Sequence, residues 1–157
     1  MEEVEVNARE VALREALGDV VYRHAKWDGR QTDWLLQWAA RFIEKTDLSI
    51  GITLTIGGGL VSGVLISSKL YFETLSDDIA QPFAAFGDDV AESMRGLMLS
   101  FSHAEDHEDG APAEQFLHLQ DARVYTTPSG AISDKGVLWR GKVSAVQGFT
   151  FGQMKPA

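Results

Sequence analysis

The chain has 157 residues, of which 45% are hydrophobic and 10% aromatic, and it carries a formal net charge of −9. This length suffices for one domain with a core and is short for two, so we expect a single domain over residues 1–157. No apolar run approaches the roughly 20 residues of a membrane span, and the lack of cysteine excludes disulfides, thiolate metal sites and a cysteine nucleophile.

The first 46 residues are predicted to form two helices. The start, MEEVEVNARE, lacks the basic and apolar regions of a signal peptide, so we expect a cytoplasmic protein. Apolar residues recur at helical spacing from Val11 to Val21, which predicts a helix over residues 8–25, weakened at Gly18.

A stronger helix is predicted up to residue 46, with Thr32 as its N-cap. Its apolar stripe contains Trp34, Trp38 and Phe42 at intervals of four residues. We expect this stripe to pack into the core.

Residues 48–67 are predicted to form a β-hairpin. In SIGITLTIGGG every second residue from Ile50 to Ile56 is a large aliphatic, and this period of two indicates a half-buried strand. The glycines at 57–59 form the turn, and LVSGVLISS returns as the second strand.

Residues 68–112 are predicted to form an acidic insert with helices over 69–75 and 88–102, a break around Pro82 and a polar loop at the end. Residues 73–110 hold ten carboxylates and one base, Arg95, whereas the rest of the chain has thirteen of each. A face of this kind repels phosphate, so we expect neither nucleic acid nor a lipid membrane as a partner.

Strand patterns return over residues 115–152. The apolar phase slips between Leu119 and Ala122, which is typical of a β-bulge. The element order predicts an α+β fold with a small five-stranded antiparallel sheet. We expect an Sm/SH3-like curved sheet or barrel, with two N-terminal helices and the acidic helical insert between strands 2 and 3.

No pattern in the sequence predicts a reactive centre. His103 and His107 lie four residues apart, but Ala104 stands where the zinc-protease pattern places its glutamate. His118 is expected to be a surface histidine or one with satisfied hydrogen bonds. Arg140 is expected to pair with Asp121 or another nearby carboxylate, with stacking on an aromatic ring as the alternative. We therefore predict no catalytic, metal or cofactor residues and no enzyme.

Two blocks of the sequence resemble the gas vesicle accessory protein GvpU family. They are DLSIGITLTIGGGLVSGVLISSKLYFETL at 47–75 and FLHLQDARVYTTPSGAISDKGVLWRGKVSAVQGFTFG at 116–152. With the preceding helix, the resemblance covers about 32–154. The stretches FLHLQDARVY and VLWRGKVSAV also show a weaker similarity to the second motif of Sm-like barrels. In that motif a hydrophobic-x-R-G turn links the last two strands. Residues 1–28 extend beyond the usual family pattern, and we expect the protein to lack the Lys/Ser-rich tail that some members carry after the position of Ala157.

The resemblance implies a non-enzymatic accessory protein that binds the gas vesicle shell or other gas vesicle proteins, or itself, and promotes vesicle clustering. The expected location is the cytoplasm, in association with gas vesicles. We expect Trp139, Arg140, Phe149 and Phe151 to be contact residues, with core packing as the alternative for the aromatics. Two other functions stay open: an Sm-like RNA-binding oligomer, and a metal-dependent hydrolase that uses His103 and His107.

Overall fold

From residue 32 onwards, the described part of the chain contains three α-helices, two short 3₁₀ helices and six strands. The structure, a computed structural model, describes residues 32–102, 114–127 and 130–154 and, before them, Val11, Glu15, Ala16, Gly18 and Val20. The helices are α1 (Trp34–Thr46), α2 (Ser68–Phe83) and α3 (Asp88–Ser102). The strands are β1 (Ile50–Ile56), β2 (Gly59–Ile66), β3 (Phe116–Thr127), β4 (Gly130–Ala131), β5 (Val137–Lys142) and β6 (Gly148–Phe151).

The strands form one antiparallel sheet in the order β4-β3-β2-β1-β6, and β5 pairs with β3 beside β4. The predicted hairpin is confirmed, with Leu54 opposite Val61 across β1 and β2. The predicted bulge is confirmed as well. The pairing of β3 with β5 shifts between Leu119 and Ala122, and Asp121 at this point has a φ of 48°.

One face of the sheet packs against α1 and forms the main core. Asp33 begins the helix by accepting hydrogen bonds from the backbone amides of Leu35 and Leu36, so the N-cap is one residue later than predicted. The buried apolar side chains of the main core include Leu36, Ala39, Ala40 and Ile43 of α1 and Ile52, Leu54, Leu65, Leu117 and Leu119 of the sheet.

The prediction that the tryptophan stripe packs into the core is wrong. Trp34 and Trp38 are 62% and 56% exposed, whereas Leu36 on the other side of α1 is completely buried. The face with Ala39 and Ala40 turns towards the sheet because small side chains let a helix approach its neighbour closely.

The described part of the acidic insert, residues 68–102, contains the two helices α2 and α3, and α2 lies on the second face of the sheet. Its start is fixed to α1, because the Glu44 carboxylate accepts hydrogen bonds from the backbone amide of Ser68 at 2.6 Å and from its hydroxyl at 2.9 Å. Tyr71 and Phe72 then pack with Ile66 in a second, smaller core. The helix is longer than predicted, because Pro82 lies in its last turn, where a missing amide hydrogen interrupts little of the helix.

The sheet is open, which corrects the five-strand barrel expected from the sequence. In the described part of the chain β5 and β6 lie at different edges, separated by β3, β2 and β1, and the short β4 is a sixth strand. The expected helix over residues 8–25 falls mainly outside the described residues. Val11 and Val20 are helical, and Gly18 between them has a φ of 74°.

Gly63 offers a test of the packing between β2 and β3. A Cβ atom on Gly63 would lie 2.9 Å from the backbone oxygen of Gln120 and 3.0 Å from the Cα of Ala122, and neither backbone atom can move away cheaply. We expect Gly63→Ala to lower the free energy of unfolding by about 1–3 kcal/mol. Gly96 in α3 has open space around it, so Gly96→Ala should raise the same quantity by up to about 1 kcal/mol. Urea titrations of both variants check this, and equal stabilities would contradict it.

Candidate interaction surface

Trp139 and Arg140 are neighbours on β5, and their side chains lie on opposite faces of the sheet. Trp139 is opposite Leu119 and is partly buried against the main core. Its ring covers Gly141 so closely that a Cβ atom on Gly141 would collide with the ring. The Trp-Arg-Gly sequence therefore lies within a strand. The turn follows at Val143–Ala145, which corrects the position expected from the Sm-like motif.

Arg140 belongs to an aromatic cluster on the second face. Its guanidinium carbon lies 4.2 Å from the ring centre of Phe116 and 5.4 Å from that of Phe72, so the stacking alternative is confirmed. Asp121, the carboxylate named as a possible partner of Arg140, is bound by Arg123 at 3.0 Å. Hydrogen bonds from Gln153 and Arg123 lower the pKa of the Asp121 carboxyl.

His118 lies beside Arg140 in the same cluster, and it is 2% exposed. Its ring centre is 4.8 Å from that of Tyr71 and 6.1 Å from that of Phe72. Burial, together with the Arg140 charge, lowers the pKa of His118 from 6.5 to about 3. Burial also raises the pKa of the Tyr71 phenol, against the opposing effect of Arg140. At neutral pH the His118 imidazole is therefore uncharged.

Phe149 and Phe151 are brought together on β6, at the edge of the sheet far from β5. Their ring centres are 5.4 Å apart in an edge-to-face arrangement. Phe149 packs against the main core, whereas Phe151 is 48% exposed. Phe151 pairs with Ile52 of β1, so Ile50, 40% exposed, is its diagonal neighbour on the same face. We call Ile50, Phe149 and Phe151 the edge patch.

The residues after β6 fold back over the second face of the sheet. Thr53 donates a hydrogen bond to the backbone oxygen of Gly152 at 2.8 Å, and the Met154 amide donates one to the Ser62 hydroxyl at 2.7 Å. Beside this crossing lies an open groove of about 600 Å³ whose walls include Leu60 and Thr150. These hydrogen bonds hold β6, and with it the edge patch, in a fixed position.

The four contact candidates from the sequence therefore do not form one surface. Trp139 and Arg140 lie near one edge, and Phe149 and Phe151 lie at the other. Sequence reasoning missed Ile50 as a surface residue, because strict alternation along β1 placed it on the core side. The exposure of Ile50 could have been predicted from its position as the first residue of β1, because the core ends there.

The acidic insert presents carboxylates around a cleft between α2 and α3. Its walls include Asp77, Asp78, Asp88 and Glu92. Arg95 lies among them and binds Asp77 at 2.9 Å and Glu92 at 3.0 Å. This cleft favours cationic over anionic partners.

The rival hypotheses gain no support from the described residues. Residues 32–102, 114–127 and 130–154 contain no group of three or more His, Asp or Glu side chains that could hold a metal ion. His103 and His107 lie outside the described residues. None of the helices described combines the length and apolar character needed to cross a bilayer.

Comparison with known protein families identifies a relationship over most of the chain. A family model described as "Gas vesicle protein GvpU-like" matches residues 33–154. This range begins at the N-cap of α1, ends after β6 and includes the edge patch. No curated protein and no solved structure matches the chain.

Proposed function

This chain belongs to the GvpU-like family of gas vesicle proteins, and we propose that it is a non-enzymatic binding module. In this proposal it attaches to the gas vesicle surface in the cytoplasm, or to further copies of itself, and so clusters or organises vesicles. Association with gas vesicles follows from the family. The binding surface is our inference from the structure.

The open edge at β6 is the observation that carries the proposal. In the described part of the chain no strand pairs with the outer side of β6, so the backbone amides and carbonyls of β6 that point away from β1 can pair with another chain. An edge of this kind can accept an added strand, with main-chain hydrogen bonds giving affinity and side-chain contacts giving specificity. Phe151 and Ile50 supply those apolar contacts beside the edge.

The exposed apolar area beside β6 and the net negative charge support a protein as the partner over a nucleic acid or a lipid. Phe151 is 48% exposed and Ile50 40% exposed, which leaves a small apolar area beside the edge. A gas vesicle is a large particle, so several weak contacts on one vesicle reinforce one another through effective concentration. The net charge of −9 opposes binding to phosphate backbones and anionic headgroups.

Flotation tests the proposal. Purified tagged protein is mixed with buoyant gas vesicles at low salt, and the floated layer is assayed for the tag. We expect the protein in the floated layer, with larger vesicle clusters visible by light scattering. Absence from that layer would overturn the vesicle-binding part, and flotation without any change in scattering would overturn the clustering part.

A further inference from the structure

Helix α3 carries apolar side chains that the rest of the described chain leaves half exposed. Val90, Leu97 and Phe101 are 41%, 48% and 47% exposed, and Met94 between them is partly buried. None of the fifteen residues of α3 is buried, although the helix packs along α2. Exposed apolar side chains gathered on one surface are typical of an interaction site. We call Val90, Met94, Leu97 and Phe101 the α3 seam.

The spacing of the α3 seam fits a second helix. Its four residues follow one another at intervals of four, three and four, which places them on one side of the helix and is typical of paired helices in bundles. Residues 96–102 contain no charged side chain, and charged residues are depleted at the centre of protein interfaces. A Cβ atom on Gly96 would meet open space, so a helix of a partner can approach closely.

A second copy of the chain matches the seam when the two α3 helices run antiparallel. Val90 then comes level with Phe101 of the second copy, so the smallest side chain of the seam meets the largest. Met94 comes level with Leu97 of the second copy, which gives two alike inner layers. Facing positions that join small and large side chains in this way interdigitate well.

The charges on α3 also favour the antiparallel arrangement. Asp88 and Asp89 lie in the first turn of the helix, and a parallel pair would bring these carboxylates of the two copies together, where they repel one another. In the antiparallel pair they lie beside residues 96–102 of the other helix, which carry no charge. The positive N-terminal end of each helix dipole then lies near the negative C-terminal end of the other.

The area of the seam indicates a weak contact. A fully covered side chain buries roughly 100 Å² if it is aliphatic and roughly 200 Å² if it is aromatic, so the exposed parts of the seam offer on the order of 200 Å² in each copy. A stable interface takes about 450 Å² of apolar area from each partner. Association through the seam should therefore depend on protein concentration. Copies gathered on neighbouring vesicles meet at a high effective concentration, at which a weak contact suffices.

We propose that the α3 seam is a self-association site, at which α3 of one copy packs antiparallel on α3 of another. A copy with one edge patch coats a vesicle without joining it to the next. Pairing through α3 gives each complex two edge patches, one for each of two vesicles. This bridging rests on the proposed function, whereas the pairing itself does not require vesicles.

Sedimentation of the purified protein tests the pairing, at concentrations from about 1 to 200 µM and in about 0.15 M salt, which screens the repulsion between acidic chains. We expect the average mass to rise from monomer towards dimer. Leu97→Glu should raise the dissociation constant at least about tenfold, because it places a charge within the pair. The control Leu48→Glu makes the same change at a leucine that is 55% exposed outside the seam, and it should associate like the unmodified protein. A monomer at every concentration, or equal association of the two variants, would overturn the proposal.

Introduced cysteines test the direction of the pairing, because the chain has none of its own. The proteins Val90→Cys and Phe101→Cys are mixed in equal amounts, oxidised mildly and analysed by mass spectrometry. We expect disulfides that join one protein of each kind. In an antiparallel pair, cysteines at the same position lie about 16 Å apart along the helices, beyond the roughly 7 Å that a disulfide spans between Cα atoms. Disulfides between identical proteins in equal or larger amounts would overturn the antiparallel pairing.

Flotation with gas vesicles separates the bridging role from vesicle binding. The Leu97→Glu protein should float with the vesicles, but it should not increase their light scattering as the unmodified protein does. If it clusters the vesicles as well as the unmodified protein, the bridging role of the seam is wrong while vesicle binding stands. If the unmodified protein does not float, the proposed function fails, and the sedimentation result still decides whether the seam pairs.

Discussion

Lowering the pH from 7 to 4.5 is expected to reduce the free energy of unfolding by about 2–3 kcal/mol through His118 alone, at about 1.4 kcal/mol per pH unit. The pKa of His118 is about 3 in the folded protein, against 6.5 for an exposed histidine. The unfolded chain therefore binds a proton below pH 6.5 that the folded chain does not bind until about pH 3. This contribution to stability is complete above pH 6.5 and decreases through the window between the two values.

The variant His118→Leu separates this effect from the titration of the carboxylates. Leucine cannot take up a proton, so the variant should lack this part of the decrease, while the contribution of Asp121, whose pKa is lowered by hydrogen bonds from Gln153 and Arg123, remains. Burial raises the pKa of the Tyr71 phenol beside His118, so Tyr71 stays uncharged throughout the window. Urea titrations of both proteins at pH 7, 5.5 and 4.5 give the comparison. The same loss of stability in both proteins would show that His118 is not buried in its neutral form.

Truncating Leu54 should give the second large loss of stability. This side chain is completely buried in the main core, where it faces Val61 on one side and Phe149 on the other. We expect Leu54→Ala to lower the free energy of unfolding by about 2–5 kcal/mol, from lost burial and from the cavity that remains. Leu48 is 55% exposed, so the same substitution there should change stability by no more than about 0.5 kcal/mol.

Chemical denaturation of the two leucine variants checks the position of the core. If Leu48→Ala lowers the free energy of unfolding as much as Leu54→Ala, another part of the chain covers Leu48. If Leu54→Ala costs under about 1 kcal/mol, the main core does not have the close packing that this account gives it.

The parts of the fold that local sequence determines could be predicted. The β1–β2 hairpin follows from a period of two and a glycine turn, and the bulge at Asp121 follows from the slipped apolar phase of β3. The prediction that the chain has no reactive centre also depended on residue spacing within short stretches of the sequence. The family resemblance, which depended on two sequence blocks, agrees with the match over residues 33–154.

The parts that depend on distant contacts could not be predicted. Whether a sheet closes is decided by the meeting of its two edges, and here β5 and β6 stay apart. Helix α1 has apolar side chains on two sides, and periodicity alone does not say that the side with Ala39 faces the sheet. His118 is buried because α2 lies over the second face, a contact between segments about fifty residues apart in sequence.

The central claim is that the edge patch, and no reactive site, performs the function. Its most direct test is flotation with gas vesicles of two matched variants, Phe151→Ser at the patch and Phe86→Ser on the insert, where Phe86 is 77% exposed. We predict that Phe151→Ser lowers the floated fraction severalfold at unchanged stability, while Phe86→Ser floats like the unmodified protein. Equal flotation of the two variants would contradict the account.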